Sequence, residues 1–178
     1  MAGIRRKEQV GRRTRVVEST SVAGMRCDVT AGDHVIVTDE AKGRGGNGEG
    51  APPLLHLTAA LASCQTVQII KVAQAMRFNH GAVNIRATTT TDLIDGIEGN
   101  RDGVMHFNEA ELFIEIETDE SEQKIERLKA LSEDRCPVSR LFAEAGYPPK
   151  MVWTVLPMKA WTRRPDRFAG RFHGMKIP

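Results

Sequence analysis

The amino-acid sequence predicts an α+β fold, and three observations point to it. A long apolar run with helical spacing occupies the middle of the chain, strand-patterned segments lie on both sides of it, and two further helical patterns separate the last two strands. The N-terminal β-region, 13–40, contains TRVVEST, MRCDVTA and HVIVTDE, separated by turn signals at GMR and AGD, with Val35 and Val37 alternating in the third. KGRGGNGEGAPP follows as a flexible loop suited to a lid or a dimer contact; it lacks both a strand-led GxGxxG and a Lys-Ser/Thr P-loop ending, so it carries little nucleotide signal. The central helix is expected over 54–78, where Leu57, Leu61, Val67, Ile70 and Met76 recur at roughly helical spacing, and it ends near Asn79-His80-Gly81.

The C-terminal β-α-β region is expected over 82–156. AVNIRATTTTD alternates Val83, Ile85 and Ala87 against Asn84, Arg86 and Thr88, as a half-buried strand does. After the turn-rich DGIEGNRDG, FNEAELFIEIETD sets Leu112, Ile114 and Ile116 on one face and Glu111, Glu115 and Glu117 on a solvated one. From Ser121 the pattern is helical, with Ile125, Leu128 and Leu131 inward. A second helix starts at Cys136 and carries Leu141, Phe142 and Ala145 on one face; Gly146 ends it, and KMVWTVLP returns as a strand with Met151, Trp153 and Val155 on one side.

Composition bounds the function. A chain of 178 residues suffices for one domain, 1–156, followed by a basic tail, 157–178. The net charge of +2 does not favour nucleic acid as a partner of the body of the protein. In the tail, Arg163, Arg164, Arg167 and Arg171 interleave with Trp161, Phe168 and Phe172, but one short basic segment is a small electrostatic footprint. MAGIRRKEQV has charge without an apolar core, and no apolar run is expected to reach membrane-spanning length. Three widely spaced cysteines do not make a secreted disulfide framework, so the expected compartment is the cytoplasm.

The chemistry centres on Cys136 and Cys64. Pro137 suits the first position of a helix, which places Cys136 at the N-cap, where free backbone N–H groups favour a thiolate. A small buried capping residue fits that position equally well. Cys64 lies mid-helix, where the backbone amides are already used, so its activation is expected from a nearby cation such as an arginine; the plain alternative is a packing residue beside Ala60, Ala62 and Val67. Metal ligation is not favoured, because Cys27, Cys64, Cys136 and His56 contain no locally paired CxxC. Nor is hydrolase chemistry, because His56 lies more than two helical turns from Cys64.

Together, APPLLHLTAALASC and RCPVSRLFAEAG resemble the OsmC/Ohr family of thiol peroxidases, over about Met25 to Leu156. The resemblance implies an OsmC-like fold with β-sheets wrapped around a long central helix, in an intertwined homodimer. It implies a peroxidase in which Cys64 attacks the O–O bond of an organic hydroperoxide, releases an alcohol and becomes a sulfenic acid, and Cys136 condenses with it to a disulfide. An external dithiol such as dihydrolipoamide would reduce that disulfide, with no metal or flavin. Leu57, Leu61 and Val67 would line an apolar substrate cleft, and Arg26, preferred over Arg15, would activate Cys64.

The chain departs from the family pattern at one point. The family glutamate that holds the arginine lies nine or ten residues before the first cysteine, where this chain has Leu55 and Leu54. His56 carries no permanent anion, whereas Glu49 in the glycine-rich loop could replace that glutamate if the loop folds back. The alternative reading is a redox-sensing or hydrophobic-ligand-binding member of the same fold, without efficient turnover.

Overall fold

A computed structural model describes residues 13–92 and 106–158; DGIEGNRDG and the aromatic and arginine residues of the tail lie outside them. Among the described residues the order is β1 (Glu18–Ala23), β2 (Arg26–Ala31), β3 (His34–Thr38), α1 (Pro53–Met76), β4 (Val83–Thr91), β5 (Phe107–Glu117), α2 (Glu122–Glu133), α3 (Pro137–Glu144) and β6 (Lys150–Leu156). This is the expected α+β pattern, a long helix between two three-stranded sheets in sequence. The chain divides into two compact units between Leu57 and Thr58, so α1 begins in the first and continues into the second.

In the first unit, β1-β2-β3 is an antiparallel meander. Gly24 and Gly32, at φ 57° and 62°, make its two tight connections, which need the left-handed region. The first strand begins at Glu18 rather than at Thr14, and Val16, Val17, Val22, Val35 and Ile36 are exposed. The loop after β3 is not the free segment that its glycines suggested. The fully buried carboxylate of Asp39 accepts backbone N–H bonds from Glu40 (2.8 Å), Asn47 (2.9 Å) and Glu49 (3.1 Å), drawing the loop into a closed turn. Gly46 packs so tightly there that a Cβ would meet the Glu40 carbonyl oxygen at 1.9 Å.

In the second unit, β5 is central, antiparallel to β4 and parallel to β6. A parallel neighbour needs a crossover, and α2 and α3 supply it. Leu112, Ile114 and Ile116 of β5 are buried with Ile125 and Leu128 of α2, Phe142 of α3 and Leu61, Ile69, Val72 and Ala73 of α1. Each large aliphatic side chain so buried contributes roughly 1.5–3 kcal/mol.

Several inward assignments change. Glu117 is buried rather than solvated, while Leu141 and Val155 are exposed. On α1 the buried stripe is Leu61, Gln65, Ile69, Val72 and Ala73, and Val67 faces outward at 45% exposure. Leu61, Gln65 and Ile69 are four apart, and Val72 and Ala73 lie three and four beyond Ile69, which holds one face of a helix, so a glutamine occupies a core position. By length and composition α1 is also apolar enough to cross a membrane, contrary to the sequence expectation. Alanines and leucines keep its mean hydropathy high although Gln65, Gln68 and Lys71 interrupt the run.

Candidate functional site

The two thiols of interest lie near one another at the start of α3. Cys136 is the N-cap, in extended backbone, with Pro137 at the first helical position as the sequence predicts. Its Sγ accepts the Ser139 N–H at 3.4 Å, which satisfies one of the amides left free at a helix start. Cys136 is fully buried, Cys64 is half-buried on α1, and both are free thiols. Cys136 and the Val138 backbone N–H lie close enough to Cys64 to act on its pKa in opposite senses, the first raising it and the second lowering it. The start of α3 thus bonds one sulfur and lies close to the other.

This geometry corrects one sequence inference. The amides of α1 cannot help Cys64, but those of α3 do, and Lys71, two turns along α1, adds a favourable charge. The balance still lies on the other side: burial pushes the Cys64 thiol up, and the neighbouring Cys136 pushes it further. The site therefore holds two neighbouring free thiols, of which Cys64 is the more accessible residue.

Gln65, beside Cys64, joins the same cluster. Its Oε1 accepts the Ser139 hydroxyl at 3.3 Å, while its Nε2 is buried without a hydrogen-bond partner. A buried amide left half satisfied costs about 1–3 kcal/mol. Phe142, one turn further along α3, stacks edge-on against Phe107 of β5, with centroids 5.6 Å apart at 74°. Sequence reasoning missed Gln65, Ser139 and Val138. A visible signal existed for the first, a polar residue four positions from Leu61 and from Ile69 in an apolar stripe.

In the first unit, Arg26 projects from β2 on the same side as Asp28, two residues on. Its guanidinium donates from Nε to Asp28 Oδ1 (3.0 Å) and from Nη2 to Asp28 Oδ2 (3.3 Å), and from Nη1 to Glu49 Oε2. These carboxylates, Asp28 foremost, hold Arg26 more firmly charged than usual. Glu49, carried by the loop that Asp39 fixes, thus pairs with Arg26. Arg15 is exposed ahead of β1, outside this network.

Of the expected cleft residues, Leu61 is fully buried, Leu57 half-buried and Val67 exposed. They share a broad side of α1 with Cys64, at three- and seven-residue spacings. Leu61 belongs to the core, so only Leu57 and Val67 present surface beside the thiol. Among the described residues, no three His, Cys, Asp or Glu side chains form a group able to hold a metal ion.

A long helix carrying one thiol, and a short helix capped by a second, define a thiol-pair α+β protein. Residues 46–151 match the family model described as OsmC-like protein, and the chain belongs to that family. The fold agrees with solved structures. The OsmC-like protein from Mycoplasma pneumoniae superposes with a TM-score of 0.67 at 18% identity, covering 83% of this chain and 99% of that one. The organic hydroperoxide resistance protein OsmC from Legionella pneumophila gives 0.60 at 16%, covering 83% and 99%. The organic hydroperoxide resistance protein OhrB of Bacillus subtilis gives 0.58 at 16%, covering 80% and 98%. No curated protein sequence matches the chain.

Proposed function

We propose that this protein is a cysteine-dependent peroxidase acting on organic hydroperoxides in the cytoplasm. The Cys64 thiolate attacks the distal peroxide oxygen, the O–O bond breaks, and the alkoxide leaves as the alcohol after taking a proton. The resulting Cys64 sulfenic acid condenses with Cys136, releasing water and forming the disulfide, and an external dithiol restores both thiols. Arg26 is assigned as the cation that favours the Cys64 thiolate, with Glu49 holding it in place of the absent family glutamate. Leu57 and Val67 favour an alkyl hydroperoxide over hydrogen peroxide. The working form is a homodimer.

What supports this reading is the proximity of Cys64 to Cys136, which caps the N-terminus of α3. Such proximity lowers the entropic cost of closing the disulfide. The test adds stoichiometric cumene hydroperoxide to the reduced protein and follows intact mass and non-reducing peptide maps. A Cys64–Cys136 disulfide that dihydrolipoamide reverses is the expected result, and Cys64→Ser should abolish peroxide consumption. Full dithiol-dependent activity in Cys64→Ser would overturn the assignment. Arg26→Ala should slow Cys64 oxidation at neutral pH by about ten-fold or more, equivalent to one unit of thiol acidity.

One observation favours a second reading, a redox sensor with slow closure: burial and Cys136 push the Cys64 thiol up rather than down. A sensor would form the same disulfide but show no sustained turnover with dithiol.

A further inference from the structure

We propose that Gln65, acting through Ser139, is a positioning residue that holds the Cys136 end of α3 against Cys64 for disulfide closure. The inference rests on the thiol-pair reading above and assigns its resolving step to a specific contact. Two side chains on one face of α3, Ser139 and Phe142, bind the short helix to its surroundings, since residues three apart on a helix are neighbours. Phe142 meets Phe107 in an edge-on apolar contact that fixes no hydrogen-bond register. The Ser139 hydroxyl on Gln65 Oε1 holds the other end, at the turn that carries Cys136 and the Ser139 amide bonded to its sulfur. Gln65 is fully buried at a core position of α1, where an apolar side chain would fill the space without leaving a donor unmet. What the amide adds there is register between the helix that carries Cys64 and the helix that Cys136 caps.

The test reads closure without peroxide. In a Cys27→Ser background, dithionitrobenzoate reacts first at the more accessible Cys64, releasing one thionitrobenzoate and leaving a mixed disulfide. Cys136 then attacks the Cys64 sulfur, the protein disulfide forms, and a second thionitrobenzoate leaves in a phase independent of reagent concentration. Gln65→Met and Ser139→Ala should each slow that second phase by about ten-fold, with the double variant no slower than the slower single one, as members of one contact behave. The first phase should change less than two-fold, Ser139→Thr should restore closure, and Gln65→Met should melt no lower than the parent. Unchanged second phases, additive slowing, or slowing that follows a fall in melting temperature would each overturn the proposal. If closure responds as expected while cumene hydroperoxide leaves both thiols reduced, the peroxidase reading fails and the positioning role stands. Normal peroxide oxidation with unaltered closure in both variants would leave the peroxidase reading intact and remove the positioning role.

Discussion

Cys64 shows how far a single side chain's chemistry depends on its neighbour. Desolvation and the adjacent Cys136 raise its pKa, and the Val138 amide and Lys71 oppose them. Cys136→Ser keeps a capping oxygen for the Ser139 amide but removes an ionisable neighbour, so the Cys64 pKa should fall. In the pH dependence of the first oxidation step, the rise should move to lower pH, because the thiolate is the reacting form. The same variant should stop after one turnover with a trapped sulfenic acid, detectable by mass. The linkage has a definite sign: a thiol whose folded pKa is raised favours folding below the unfolded value, and that stability is lost as pH rises through the folded value. The parent should therefore lose stability in alkali more steeply than Cys64→Ser, as denaturant midpoints against pH will report. A profile that moves to higher pH in Cys136→Ser would contradict this account.

At the scale of elements, the loop between β3 and α1 does more than connect. Backbone bonds from Glu49 first, then Asn47 and Glu40, hold the Asp39 carboxyl below its ordinary range against the opposing effect of burial. Such a depressed carboxyl stabilises the fold above its unfolded pKa, and the contribution fades as pH falls through the lower folded value. Hydrogen exchange at the Asn47 and Glu49 amides should therefore stay protected through mildly acidic pH and be lost in Asp39→Asn, where half of the acceptor capacity becomes a donor. Gly46→Ala should destabilise the protein by about 1–3 kcal/mol, the usual cost of overpacking, because its Cβ would meet backbone rather than a yielding side chain. The same elements show what a sequence can reveal. The helix capped by Cys136, the alternation of β5 and the long α1 were legible because each follows from local periodicity or local cap chemistry. The Asp39 turn, the Gln65–Ser139 contact and the Val138 amide on Cys64 were not. Each joins residues whose proximity is set by tertiary packing, and a glycine-rich string looks flexible until a buried carboxylate gathers its amides.

For the whole molecule, the distribution of apolar surface argues for assembly. The first sheet exposes Val22, Val35 and Ile36, with Val16 and Val17 exposed just ahead of it, and buries no large apolar side chain, although a three-stranded sheet needs an apolar face covered to be stable. Along α1, Ala59, Ala60, Ser63 and Val67 are exposed at three- and four-residue spacings, a small-residue stripe that permits close approach of a second helix. A lipid bilayer would also accept an apolar helix, but it would leave Lys71 and Gln74, both exposed on α1, without water. A second copy of the chain would cover the apolar stripe and keep those groups at a wet rim. Sedimentation of the detergent-free protein should give a dimer at micromolar concentration, and Ala60→Arg, which inserts a long cation into the stripe, should give monomer with a lower melting temperature. A parent that sediments as monomer at tens of micromolar, with the melting temperature of Ala60→Arg unchanged, would remove the dimer. A parent that is insoluble without detergent would instead assign the helix to a membrane.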